Sequence, residues 1–160
     1  GYASFLAWDV FAPRTYITSG FQGNLGYGFM TSLGAKIGRP DAPVLSVTGD
    51  GGFLYGASEL STAVKEKIAL ITVLFNNGAY GNVRRDQQTV FEGRTIASDF
   101  VNPDFELMAK AYGVTYAKAT NADELEAAIT AALPNTGPTL IEVPVDLATE
   151  VNPWPYIVKR

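Results

Sequence analysis

Two short apolar runs organise the chain: Val44-Leu45-Ser46-Val47-Thr48, between Pro43 and Gly49, and Ala69 to Phe75, ended by Asn76. Polar residues interrupt them only at Ser46, Thr48 and Thr72. That is the pattern of strands buried on both faces, as in a parallel sheet. Between them, a helix is expected from about Gly56 to Lys67. Downstream, Val114 to Lys118 and Thr139 to Val145 read as further strands. Phe105, Met108 and Tyr112 recur at i, i+3, i+7, and Asn102 as N-cap, Pro103 at the first helical position and Gly113 past the end frame that helix. Leu125, Ala128, Ile129, Ala132 and Leu133 fall on one face of the next helix. Asn135-Thr136-Gly137-Pro138 turns the chain into its last strand. Upstream, Thr15 to Thr18 reads as a short strand, followed by a Gly-rich turn and a small-residue helix to about Ile37. The tail, Val151 to Arg160 with Trp154 between two prolines, is expected to be irregular and packed on the surface. Strands alternating with helices across short connections predict an α/β fold with a mostly parallel central sheet.

Composition narrows the chemistry. The chain has 160 residues, 47% hydrophobic and 18% charged, enough for one core and one domain. A net charge of -4 and a pI near 4.8, with Arg84-Arg85 a basic pair and no larger basic cluster, argue against nucleic acid. Zero cysteines and zero histidines remove disulfides, thiolate chemistry, the commonest general base and the commonest metal ligand. No apolar stretch reaches the ~18 residues of a membrane span, and a cytoplasmic protein fits.

The first central run ends in Gly49-Asp50-Gly51, and Asn76-Asn77 follows after a spacer of 24 residues, at the end of the second run. Parallel strands would therefore deliver both groups to one carboxyl edge, where open α/β sheets bind ligands. Asp50 supplies one hard anionic oxygen. An amide oxygen from Asn77, a backbone carbonyl beyond it, water and two diphosphate oxygens would complete the roughly six-oxygen shell of Mg²⁺. Gly51 and Gly52 let the chain turn sharply and bring N–H groups toward phosphates at the start of the following helix. The segment Gly23-Asn24-Leu25-Gly26-Tyr27-Gly28 is GxxGxG, the wrong order for a dinucleotide loop, and Asp41 sits in a turn, not at the end of a second strand.

GDG, that spacer and NN resemble the thiamine-diphosphate signature of acetolactate synthases, pyruvate oxidases and benzoylformate decarboxylases. Pro13-Arg14-Thr15-Tyr16-Ile17-Thr18-Ser19-Gly20, Leu33-Gly34-Ala35-Lys36, Asn102-Pro103-Asp104-Phe105 and Glu142-Val143-Pro144-Val145 extend the similarity to nearly the whole chain. The resemblance implies a three-layer α/β/α domain over residues 1–147, with 148–160 as a C-terminal tail. It implies metal ligation by Asp50, Asn77 and the Ala79 carbonyl, and cofactor contacts from Gly49, Gly51, Gly52, Tyr80, Gly81, Asn82 and Val83. Gly23 and Asn24 would meet the aminopyrimidine ring, and Leu25 would be the wedge that keeps the cofactor bent. The alternative for that segment is a close helix–sheet contact with Leu25 in the core.

Where acetolactate synthases carry an apolar residue and then Val-Arg-Gln-Trp-Gln, this chain has Asn82-Val83-Arg84-Arg85-Asp86-Gln87-Gln88. Asp86 replaces a pocket tryptophan. It is the candidate substrate-facing acid, against the alternative of a solvent-exposed partner for Arg84 or Arg85. Glu59 is assigned to structure, since a carboxylate facing the phosphates would repel them. The resemblance further implies a 2-oxo acid substrate and a glutamate from a separate pyrimidine-binding domain, usually on another subunit of a homo-oligomer. No glutamate here is placed for that role, so the chain reads as either a C-terminal fragment of a longer polypeptide, the preferred reading, or the small subunit of a split enzyme, and is expected to be inactive alone. The competing reading is an assembly or regulatory module that keeps the fold without catalysis.

Overall fold

The computed structural model describes residues 3–20, 22–149 and 151–157. Its centre is a four-stranded sheet of β1 (Leu45–Gly49), β2 (Ile71–Asn76), β3 (Thr115–Lys118) and β4 (Thr139–Pro144), all parallel and ordered β1-β2-β4-β3. The two inner strands, β2 and β4, bury their first four residues outright, Thr72, Thr139 and Glu142 included. Helices lie on both faces, as the three-layer expectation requires. On one face α2 (Tyr27–Gly38), α3 (Asp50–Leu54), α4 (Leu60–Lys65) and α6 (Phe105–Tyr112) contribute Phe29, Leu33, Phe53, Leu60, Ala63, Phe105 and Ala109 to a core closed by Leu70, Leu74 and Leu140 from the sheet. Phe53 sits at its centre, edge-on to Phe29 and Phe105 at 4.9 and 6.2 Å between ring centroids. On the other face α7 (Ala122–Ala132) packs Leu125, Ala128, Ile129 and Ala132 against Ile71 and Ile141.

Three short helices complete the chain: α1 (Ser4–Ala7), α5 (Gly81–Thr89) after β2, and α8 (Trp154–Ile157). Because side chains alternate along a strand, Thr48, Leu74, Asn76, Leu140 and Glu142 rise on the same face as the larger core. Register puts Gly49 beside Phe75, and Asn76 beside Pro144. Asp50 and Asn77 therefore leave the sheet at one edge.

Five sequence expectations need correction. Thr15 to Thr18 forms no strand: Thr15 Oγ1 instead donates to the Ala12 carbonyl at 2.7 Å, and Tyr16 packs edge-on against Phe5. The helix expected at 56–67 begins at Asp50 itself and breaks at Tyr55-Gly56 before resuming through a 3₁₀ turn, Ala57–Glu59, into α4. The break is where α2 crosses, since a Cβ on Gly56 would lie 2.7 Å from Met30 Cγ. Asn102 does not cap α6. Asp104 does, its Oδ1 accepting from Leu107 N at 2.9 Å, while Gly113 closes the helix at φ 77° as expected. Leu133 lies past the end of α7 and is 53% exposed, off the packed face. Within the tail, residues 154–157 make one helical turn with Pro153 buried; residues 158–160 lie outside the described set.

Candidate cofactor-binding site

The strand–helix junction sets the site. Asp50 is the first residue of α3, so its side chain stands over the sheet edge, where it is 2% exposed. Burying a carboxylate is costly unless its oxygens are satisfied. Oδ2 accepts from Gly78 N at 2.7 Å, Asn77 N at 3.2 Å and Asn102 Nδ2 at 2.6 Å; Oδ1 accepts from Gly51 N at 2.8 Å. The GDG turn and the NN turn are thus tied together by one carboxylate.

That carboxylate retains capacity. An ionised carboxylate offers about four lone-pair sites, and Oδ1 uses one. Asn77 Oδ1 accepts from Ala79 N at 3.1 Å and keeps its second site. The Ala79 carbonyl accepts no hydrogen bond from the described residues, because the bridge between Ala79 and Asp99 runs through Tyr80 N to Ser98 O and Phe100 N to Gly78 O. Oxygens with spare lone pairs on Asp50, Asn77 and Ala79 form a hard donor set that fits a magnesium ion. Among the described residues no three His, Cys, Asp or Glu side chains cluster, so a cation here depends on neutral oxygens, water and phosphates, which is the coordination magnesium favours.

The floor of the site is glycine. A Cβ on Gly51 would stand 2.5 Å from Tyr80 Cε1 and 3.2 Å from Phe100 Cζ, so the Tyr80 ring, tilted at 57° against Phe100 with centroids 4.8 Å apart, lies directly on the Gly51 backbone. The neighbouring Tyr55 hydroxyl, then burial, then the Asp50 charge push the Tyr80 phenol above its ordinary value. Leu25 reaches the same turn: its Cδ2 would lie 3.8 Å from a Cβ on Gly52. It is 50% exposed, and Gly28 of the same segment lies close to β1, a Cβ there standing 3.6 Å from the Val47 carbonyl oxygen. Gly23 and Gly26 adopt φ 58° and 85°, left-handed values that favour glycine, and Gly26 caps α2. Asn24 is exposed in the same turn.

Beyond the NN turn, α5 begins at Gly81. Asn82 Oδ1 accepts from Trp154 Nε1 at 2.6 Å and from Arg85 Nη1 at 3.2 Å, which attaches the tail to this helix. Val83 is 50% exposed. Asp86 is exposed and its side chain has no hydrogen bond or ion pair with the described residues, because Arg84 pairs with Asp99 at 2.5 Å. Glu59 accepts from Thr62 Oγ1 at 2.8 Å, the structural role assigned to it.

The model of the C-terminal TPP-binding domain of thiamine pyrophosphate enzymes matches residues 1–143. The chain belongs to this family. The TPP-binding domain is 36% identical over 148 residues to the acetolactate synthase isozyme 2 large subunit of Escherichia coli, covering 91% of this chain and 26% of that protein. It is 41% identical over 133 residues to a probable 2-ketoarginine decarboxylase of Pseudomonas aeruginosa, covering 82% and 24%. Among solved structures, the thiamine diphosphate-dependent 4-hydroxybenzoylformate decarboxylase of Rhodococcus jostii RHA1 superposes with a TM-score of 0.72 at 35% identity, over 78% of this chain and 24% of that one. The TPP-binding domain thus spans about a quarter of the length of these relatives. No helix among the described residues is long and apolar enough to cross a membrane.

Sequence reasoning missed how the TPP-binding domain secures its aspartate. Asn102 Nδ2 bonds both Asp50 Oδ2 and Asn76 Oδ1, the latter at 2.7 Å; Asn76 Nδ2 donates to Glu142 Oε1 at 2.7 Å; and Tyr116 OH donates to Glu142 Oε2. Burial, then the bond to Glu142, push the Tyr116 phenol well above its ordinary value. One signal was available: Asp104 is as good a cap as Asn102, which left Asn102 free for another task.

Proposed function

We propose that this domain holds the diphosphate of thiamine diphosphate through Mg²⁺ and forms part of an enzyme acting on a 2-oxo acid, by decarboxylation, carboligation or both. The observation that carries the reading is the meeting of GDG and NN at Asp50, with spare oxygen capacity on Asp50, Asn77 and Ala79. Those three residues would hold the cation. Apart from the Gly51 N–H that Asp50 Oδ1 takes, the N–H groups at the start of α3 and the backbone beside Gly51 and Gly52 would face the diphosphate, and Tyr80, Gly81, Asn82 and Val83 would border it. Gly23, Asn24 and Leu25 would border the rest of the cofactor, Leu25 by pressing on the GDG turn. Bound thiamine diphosphate supplies the carbanion chemistry, while the protein supplies orientation and electrostatics.

Asp86 is the chain's own acid for the substrate side. It is four residues from Asn82, hence on the same face of α5, and it is free of the Arg84 ion pair that would have made it structural. The relatives named above include both carboligating and decarboxylating enzymes. A pyrimidine-binding domain, from the same or another subunit of a homo-oligomer, would complete the site; residues 1–147 form the cofactor-binding unit, 148–160 its tail, and the assembly is cytoplasmic. Calorimetric titration of thiamine diphosphate with Mg²⁺ into the polypeptide carrying both domains tests this. Saturable, Mg²⁺-dependent heat that is lost in Asp50→Asn is expected. Thiamine diphosphate binding that ignores Mg²⁺, or no binding by the two-domain protein, would overturn it.

A further inference from the structure

The side-chain chain from Asp50 to Tyr116 has a direction. Glu142, 7% exposed in the middle of β4, can only accept when ionised, and it accepts from Tyr116 on one oxygen and Asn76 on the other. An acceptor there fixes the Asn76 amide with its nitrogen toward Glu142 and its oxygen toward Asn102. Asn76 Oδ1 then needs a donor, which fixes Asn102 with its nitrogen inward. The second hydrogen of that nitrogen falls on Asp50 Oδ2. Reversing either amide would set oxygen against oxygen at 2.6 to 2.7 Å. Asn102 Oδ1, buried and without a partner among the described residues, is the consequence: the nitrogen end takes both bonds and the oxygen end takes none of those described.

Such a build is more than a loop needs. A buried amide that leaves its oxygen unsatisfied pays a desolvation penalty, and the penalty is sustained only if the nitrogen end matters more. Asp50 is the anionic member of the donor set, and one donor from outside its own loops fixes the rotation of its carboxylate. Partners standing behind a ligand set its orientation and commonly alter metal affinity by 10–100-fold when removed.

We propose that Asn102 is a positioning residue for the metal-binding carboxylate of Asp50, with its amide held in register by Asn76 and Glu142. The inference rests on the cofactor reading given above. Asn102 touches neither cation nor diphosphate in this role; it acts through Asp50, and Asn76 acts through Asn102.

The test is a double-mutant cycle of Asn76→Ala and Asn102→Ala in the polypeptide carrying both domains, read as the half-saturating Mg²⁺ concentration in calorimetric titrations at fixed thiamine diphosphate and fixed pH. Each single variant is expected to raise it about tenfold. The double variant is expected to match the singles, because both interrupt one line of action. Asn102→Asp keeps the shape and exchanges donor for acceptor, so it is expected to raise the value at least as far. It also serves if the alanine variants do not fold. An unchanged value in Asn102→Ala, effects that multiply to about a hundredfold in the double variant, or Asn102→Asp binding Mg²⁺ as well as or better than the unaltered protein would overturn the proposal. Failure of the unaltered protein to bind Mg²⁺ and thiamine diphosphate overturns the cofactor reading and this inference with it, whereas normal binding with indifferent variants overturns this inference alone.

Discussion

Asp50→Asn should destabilise the protein even when no metal or cofactor is present. The carboxylate is 2% exposed and accepts four N–H bonds, from Gly51, Asn77, Gly78 and Asn102. In the variant, the amide oxygen does best in the Oδ2 position, where it keeps three donors as neutral bonds. Each falls from about 1.5–3 kcal/mol to about 0.5–1.5 kcal/mol. The amide nitrogen then faces Gly51 N–H, donor against donor, at a cost of about 1–3 kcal/mol. Relief from burying a charge offsets part of this. The net loss is about 2–4 kcal/mol, which at roughly 2–4 °C per kcal/mol for a domain of this size lowers Tm by about 5–15 °C. Thermal unfolding followed by circular dichroism in the presence of a chelator measures it. An unchanged or raised Tm would refute the reasoning, because the carboxylate would then be an electrostatic burden tolerated only for a cation and not the knot that joins the GDG and NN turns.

Two other outcomes follow from the same region. Gly51→Ala places a methyl 2.5 Å from Tyr80 Cε1, so it should cost about 1–3 kcal/mol by overpacking, against about 0.5–1 kcal/mol gained in helix propensity; in a Tyr80→Ala background only the 3.2 Å approach to Phe100 Cζ remains and the substitution should cost clearly less, and additive denaturation energies in that cycle would refute the contact. The Tyr116 phenol is raised above its unfolded value of 10.0, so the folded state holds a proton that the unfolded state gives up first; its stabilisation is present in full below pH 10.0 and is lost as pH rises beyond it. Denaturant midpoints from pH 8 to about 11 should therefore fall more steeply in the unaltered protein than in Tyr116→Phe, and parallel curves would exclude the effect.

The sequence by itself determined the sheet and the address of the site. Ala69 to Phe75 carries a single polar residue, Thr72, and so suits a strand buried on both faces, and GDG and NN at the ends of the Val44–Thr48 and Ala69–Phe75 runs need no tertiary information to be placed at one edge. The framing of α6 was half legible. Gly113 was identified by its conformational freedom, a local property, whereas Asn102 and Asp104 are both competent caps and local chemistry could not choose between them. Tertiary structure chose, by bringing Asp50 and Asn76 within reach of Asn102 across 52 and 26 residues of chain. The same holds for Thr15 to Thr18, whose strand-like composition finds no neighbour to pair with, and for the break at Gly56, which exists because Met30 passes over it. Periodicity and propensity act within a few residues and fix elements. Hydrogen bonds that close a buried polar network act between elements, and only the packed chain decides which donor meets which acceptor.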